Sequence, residues 1–212
     1  MLRGLYAITP DEPDTTRLLQ AVDAALDGGA RLVQYRSKIG ALDFRIEQGA
    51  ALLACCRHRG VPLIVNDSIE LAERIGADGV HLGREDGAVA HARRVLGSER
   101  IIGASSYDRL DLALHAQAAG ADYVAFGSFF PSAVKPGAPR PPVELLGTAR
   151  ESLRIPLVAI GGITIANSGQ LIEAGAHMVG VITAIFSAGD VRRAAREFQQ
   201  LFESKQPAHD NA

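Results

Sequence analysis

The chain has 212 residues, 47% of them hydrophobic, with a formal net charge of −2. This length fits one large domain or two small ones, and the near-neutral charge argues against a general nucleic-acid or anionic-membrane binder. No apolar run reaches the ~20 residues that span a bilayer, and the opening "MLRGLYAITP" lacks the apolar stretch and cleavage site of a signal peptide.

Eight short apolar runs follow one another as predicted strands: "LYAIT" (5–9), "LVQYR" (32–36), "PLIVND" (62–67), "GVHLG" (79–83), "RIIGAS" (100–105), "YVAFGS" (123–128), "PLVAIG" (156–161) and "MVGVIT" (178–183). Such nearly continuous apolarity marks parallel strands buried on both faces. Between them lie helical patterns such as "TTRLLQAVDAALDGG", with Leu18, Leu19, Val22 and Leu26 on one stripe. Four strands are preceded by Gly-Ala pairs: Gly29-Ala30, Gly76-Ala77, Gly120-Ala121 and Gly175-Ala176. Glycine tolerates the left-handed position that ends a helix, and alanine permits close entry into a sheet. Eight such units predict a single α/β (β/α)8 TIM barrel over residues 1–203, and a doubly wound open sheet is the rival. The polar tail 204–212 is expected to be disordered. Cys55 and Cys56 are adjacent in a helical pattern, where side chains diverge by about 100°, so no disulfide between them is expected. The expectation is a reduced, cytoplasmic protein.

In such barrels chemistry sits where strands end. Those positions hold Gln34, Arg36 and Lys38, then Asn66 and Asp67, then Asp86, Ser105, Ser132, Lys135, Gly161-Gly162, and Ile182-Thr183. Cations beside a carboxylate pair suit a polyphosphate held through Mg2+, which takes one or two carboxylates, waters and phosphate oxygens. Asp67 and Asp86 come from adjacent strands and fit that pair, although helix capping is the rival role for each. Gln34, Arg36 and Lys38 share a direction if the strand extends that far. Lysine is scarce, since only Lys38, Lys135 and Lys205 occur, and it suits phosphate as a mobile point charge. Lys135 lies in "SFFPSAVKPGAPRPP" (128–142), which holds five of the ten prolines. Gly161-Gly162 falls at the customary phosphate site of these barrels. His81 reads as a satisfied core histidine. A magnesium-bound diphosphate near the second to fourth strands and a monophosphate near the last two suggest a transferase that joins them, with diphosphate leaving.

Over nearly its whole length the chain resembles the thiamine phosphate synthase (thiamin-phosphate pyrophosphorylase) family. The matching segments are "LYAIT", "VQYRSK", "LIVNDSIELAERIGADGVHLGREDG", "IIGASSY", "GADYVAFGSFFPSAVK", "VAIGGIT" and "VITAI". The resemblance implies that 4-amino-2-methyl-5-hydroxymethylpyrimidine diphosphate ionises with Mg2+, and that the nitrogen of 4-methyl-5-(2-hydroxyethyl)thiazole phosphate captures the cation to form thiamine phosphate. It implies that Gln34, Arg36, Lys38, Asn66 and Ser105 hold the pyrimidine diphosphate, and that Asp67 and Asp86 bind Mg2+. Ser132, Gly162, Ile182 and Thr183 would hold the thiazole phosphate, and Lys135 the diphosphate. Arg36, Lys38, Ser105 and Lys135 would carry the catalysis.

The family's loop usually reads Thr-x-Thr-Lys, whereas here it is Ser132-Ala133-Val134-Lys135, so Val134 removes a hydroxyl from the phosphate loop. The alternatives are a thiazole tautomerase, which in that family uses a histidine near the position of Ser128, and a non-catalytic thiamine-precursor binder. Two phosphorylated small molecules are the partners implied, with no nucleic acid and no membrane, and a homo-oligomer is left open.

Overall fold

A computed structural model describes residues 2–84, 87–131, 137 and 140–204. Strands and helices alternate in the order β1 (Gly4–Ile8), α1 (Thr15–Asp27), β2 (Leu32–Tyr35), α2 (Leu42–His58), β3 (Leu63–Asn66), α3 (Ile69–Ile75), β4 (Gly79–Leu82) and α4 (Val89–Leu96). The second half continues with β5 (Ile101–Tyr107), α5 (Leu110–Ala118), β6 (Tyr123–Phe126), α6 (Leu145–Ser152), β7 (Leu157–Ile160), α7 (Ile165–Glu173), β8 (Met178–Val181), α8 (Thr183–Phe186) and α9 (Val191–Ser204). The strands form one closed parallel barrel in chain order, with β8 pairing back onto β1. All eight predicted strands are present, and the (β/α)8 barrel replaces the open-sheet rival. Residues 205–212 of the expected tail lie outside the described residues.

Local chemistry accounts for the rhythm. Helix α1 starts where the Asp14 side chain accepts from the Arg17 amide (3.1 Å), and it buries Leu18, Val22, Ala25 and Leu26. Asp14 is thus a helix cap. The glycines of the four Gly-Ala pairs all have positive φ, from 67° at Gly76 to 116° at Gly175. They turn each helix back toward the sheet without a Cβ penalty.

Two apolar layers lie between strands and helices, one around Phe126, Leu146, Leu157 and Phe198, the other around Val22, Leu52, Leu63 and Val80. A third cluster fills the barrel itself and includes Tyr6, Leu32, Ile64, Tyr123, Val158 and Met178. The Tyr123 ring lies where Gly103 has no side chain, and a Cβ there would run into the ring. Strand β5 is longer than expected and runs to Tyr107, with a register shift between Ser105 and Tyr107. The irregularity is a bulge at the barrel rim, a common device beside sites because it re-aims side chains.

Candidate active site

The C-terminal ends of β1–β3 converge on a charged cluster. Lys38 Nζ donates to Asp67 Oδ2 at 2.6 Å. Arg36 Nη1 donates to Asp11 Oδ2 at 3.3 Å, and the Lys38 amide donates to Asp11 Oδ1 at 2.6 Å. Asp11 follows β1 and belongs to no predicted strand end, yet it grips both cationic residues. Strand β2 ends at Tyr35, so Gln34, Arg36 and Lys38 do not continue as one ladder. Arg36 is instead clamped by Thr9, which is fully buried. The Thr9 hydroxyl accepts from the Arg36 amide (2.9 Å) and donates to the Arg36 carbonyl (3.0 Å). Thr9 and Asp11 thus do what strand pairing would have done.

Asp67 has a left-handed backbone, φ 65°, which is uncommon for any residue but glycine. It does not cap α3. That role belongs to Ser68, whose hydroxyl accepts from the Leu71 amide at 3.1 Å. The Asp67 carboxylate is therefore turned to Lys38 rather than into the helix. An exposed ion pair of this kind contributes at most about 1 kcal/mol to stability. A left-handed backbone that turns a carboxylate toward an exposed cation marks Asp67 as a candidate ligand contact.

A buried polar chain crosses the barrel beneath this rim. Gln34 Nε2 donates to the Tyr6 hydroxyl at 2.8 Å, and that hydroxyl lies 2.8 Å from the Tyr123 hydroxyl. The Tyr123 hydroxyl lies 3.0 Å from His81 Nδ1, and His81 Nε2 lies 2.9 Å from Ser105 Oγ. His81 also stacks on Tyr123, with ring centroids 5.5 Å apart. His81 is indeed a satisfied core histidine. Its place between Tyr123 and Ser105 joins two residues expected at the substrate, Gln34 and Ser105. Burial pushes the Tyr6 and Tyr123 phenols far above their ordinary range. Asn66 ends β3, half-buried, and pairs in register with His81.

The ends of β6–β8 are built differently. Gly161 and Gly162 have φ of 93° and 63°. A Cβ on Gly161 would strike Ser128, and one on Gly162 would strike the carbonyls of Pro131 and Phe130. Phe129 and Phe130 donate their amides to Ile160 and Gly161 carbonyls, each at 3.1 Å, and Ser128 Oγ donates to the Phe130 carbonyl at 2.9 Å. The glycines therefore let the chain after β6 lie flat on the end of β7. Asn167 Nδ2 donates to the Gly162 carbonyl at 3.1 Å, and Asn167 also completes the capping box of α7 with Thr164.

A cavity of about 290 Å³ joins the two sides, lined by Pro10, Asp11 and Arg36 and, across the β8–β1 seam, by Ile182, Thr183, Phe186 and Ser187. Arg36, expected at the diphosphate, thus shares a cavity with Ile182 and Thr183, expected at the thiazole phosphate.

Residues 5–185 match a family described as thiamine monophosphate synthase. The chain belongs to that family. Thiamine monophosphate synthase relatives cover it almost end to end. A thiamine-phosphate synthase of Thiobacillus denitrificans is 55% identical over 202 residues, 95% of this chain and 96% of that one. Another, of Methylococcus capsulatus, is 53% identical over 213 residues, 99% and 95% of the two chains. A solved thiamine phosphate pyrophosphorylase from Pyrococcus furiosus superimposes with a TM-score of 0.83 at 36% identity, covering 95% and 96%. Within this thiamine monophosphate synthase scaffold, Asp86, Ser132, Val134 and Lys135 lie outside the described residues. Among the described residues no helix is long and apolar enough to cross a membrane.

Proposed function

We propose that this enzyme condenses 4-amino-2-methyl-5-hydroxymethylpyrimidine diphosphate with 4-methyl-5-(2-hydroxyethyl)thiazole phosphate, giving thiamine phosphate and diphosphate. The observation that carries the reading is the Lys38–Asp67 pair at 2.6 Å, beside Arg36 and Asp11, on the catalytic rim of a barrel belonging to this family. Opposite charges gathered at one exposed point suit a ligand that is an anion carrying a hard cation.

The chemistry is a heterolysis followed by capture. The bond between the pyrimidine methylene carbon and the bridging oxygen breaks, and its electron pair leaves with the diphosphate. The thiazole nitrogen then donates its lone pair to that carbon. No proton need move in forming the bond, so no general base is required. The protein's task is to bind, align and neutralise developing negative charge with groups fixed in advance. Arg36 and Lys38 supply positive charge on the diphosphate side, with Lys135 as the expected third. Asp11 and Thr9 hold Arg36 and the Lys38 backbone in place. Gln34, Asn66 and Ser105 line the floor and hold the pyrimidine diphosphate. Gly162, Ile182, Thr183 and Ser132 receive the thiazole phosphate.

The donor set suits Mg2+. Among the described residues no group of three His, Cys, Asp or Glu side chains is placed to hold a metal ion. Magnesium asks for less, one or two carboxylates completed by phosphate oxygens and water. Asp67, with Asp86, would hold it, and the ion when bound would neutralise the leaving diphosphate. Incubating the purified chain with both substrates and Mg2+ should release diphosphate and form thiamine phosphate in equal amounts. Absence of both products would sink the reading.

A further inference from the structure

The polar chain beneath the rim has a direction, and counting protons sets it. An amide nitrogen only donates, so the Tyr6 oxygen accepts from Gln34 Nε2. The hydroxyl of Tyr6 has one proton, and among the described residues its other hydrogen-bond partner is the Tyr123 hydroxyl. Tyr123 therefore accepts from Tyr6 and gives its own proton to His81 Nδ1. Burial keeps both phenols protonated, so neither link can run as a phenolate. A neutral imidazole that accepts at Nδ1 carries its proton on Nε2. That Nε2–H donates to Ser105 Oγ at 2.9 Å. The proton of Ser105 is then left to point away from His81.

We propose that Tyr6, Tyr123 and His81 are positioning residues that hold Ser105 as a hydrogen-bond donor to the departing diphosphate. The inference rests on the condensation reading for its ligand, but the direction of the chain does not. A donor favours the atoms where negative charge grows and disfavours the pyrimidine carbon where positive charge grows. The leaving oxygens are therefore the acceptor that this polarity serves. The opposite polarity would have Tyr6 donating to Gln34 Oε1 and Ser105 donating to a bare His81 Nε2. Ser105 would then offer only lone pairs, which repel the oxygens of the departing diphosphate. The two arrangements exclude each other, because each phenol has a single proton to give.

The test uses the full chain labelled with 15N-histidine, with the His81 signals identified by their loss in His81→Asn. The expected result is a bare Nδ1 and a protonated Nε2 in the free protein, and a mixture of tautomers in Tyr123→Phe. A protonated Nδ1, alone or with Nε2, overturns the proposal. This readout needs no substrate. A correct tautomer without diphosphate release would sink the condensation reading alone, and release with the reversed tautomer would sink only the polarity. In turnover, Tyr123→Phe should lower kcat about tenfold, in the range of lost supporting contacts, with the KM for thiazole phosphate unchanged. Tyr6→Phe, one link further from Ser105, should lower it less. Ser105→Thr should retain most of the kcat that Ser105→Ala loses. Equal losses in all these variants that track their Tm would reduce the chain to a structural role and overturn the assignment.

Discussion

The rim at the ends of β1–β3 is made of side chains, whereas the rim at β6–β8 is made of backbone. On the first, Arg36, Lys38, Asp67 and Asp11 neutralise one another pairwise. On the second, Gly161 and Gly162 give up their side chains so that the segment 128–131 can settle on β7. On the proposed reaction, the contrast follows from what each rim would bind. A leaving diphosphate gains charge during the reaction, and mobile or paired cations can answer that change. A phosphate that only anchors its substrate keeps its charge, and a preshaped backbone serves it without side-chain entropy to lose. The cavity between Arg36 and Thr183 is where the two styles meet.

This contrast makes unequal predictions. Lys38→Ala should lower kcat/KM about a hundredfold, the size of losing one preorganised charge donor, with Tm nearly unchanged because the pair is exposed. A loss below threefold would show that the side-chain rim is not where charge is neutralised. Gly162→Ala should cost at least about 1–3 kcal/mol of stability, from its left-handed backbone and from the new Cβ meeting the Pro131 and Phe130 carbonyls, measured by denaturant titration. It should also raise the KM for thiazole phosphate more than that for the pyrimidine diphosphate. The reverse order of KM effects would break the division between the rims. Thr9→Val removes two hydrogen bonds to Arg36 at nearly constant volume and should cost about 1–3 kcal/mol, with a rise in pyrimidine diphosphate KM that Tm loss alone does not explain. Asp11→Asn, which keeps an acceptor for the Lys38 amide but loses the charge facing Arg36, should raise that KM about fivefold, equivalent to roughly 1 kcal/mol. An unchanged KM would leave Asp11 as a structural cap of the loop.

The effect that is smallest near neutral pH concerns the frame that both rims share. Burial pushes the Cys56 thiol up to about 12 from an ordinary value of 9.0. Below about pH 9 folded and unfolded chains both keep that proton, and the thiol adds no pH dependence. Between 9 and 12 the unfolded chain loses it first, so stability should fall as pH rises. Cys56→Ala should flatten this part of a pH–stability curve, and an unaltered slope would place the alkaline sensitivity elsewhere.

The barrel was legible because its strands are apolar on both faces and its helices end at Gly-Ala pairs. Lys38 and Asp67 were legible because strand ends in a barrel share one rim, so residues 29 apart in sequence meet. Asp11 was not, although "ITPDEPD" lies just past β1 on that same rim. A loop aspartate has no periodicity to mark it, and its role depends on where two cations from another strand arrive. Arg36 shows the same limit from the other side. Period-two spacing predicts direction only while a ladder lasts, and β2 ends at Tyr35, leaving Thr9 to set Arg36. Tyr6 and Tyr123 sit inside the apolar runs 5–9 and 123–128. Sequence registers their rings, but only the closed barrel shows that their hydroxyls meet each other at its centre.

The fit of the Tyr123 ring into the place of Gly103 ties two neighbouring strands into a single volume exchange. A larger residue on β5 can be accepted only if β6 gives up its aromatic ring, and giving up that ring also cuts the link between Tyr6 and His81. Attempts to widen the proposed pyrimidine side of the barrel for a bulkier substrate would therefore trade space against polarity at one position, and a successful redesign would have to supply a new proton acceptor before it removed the ring.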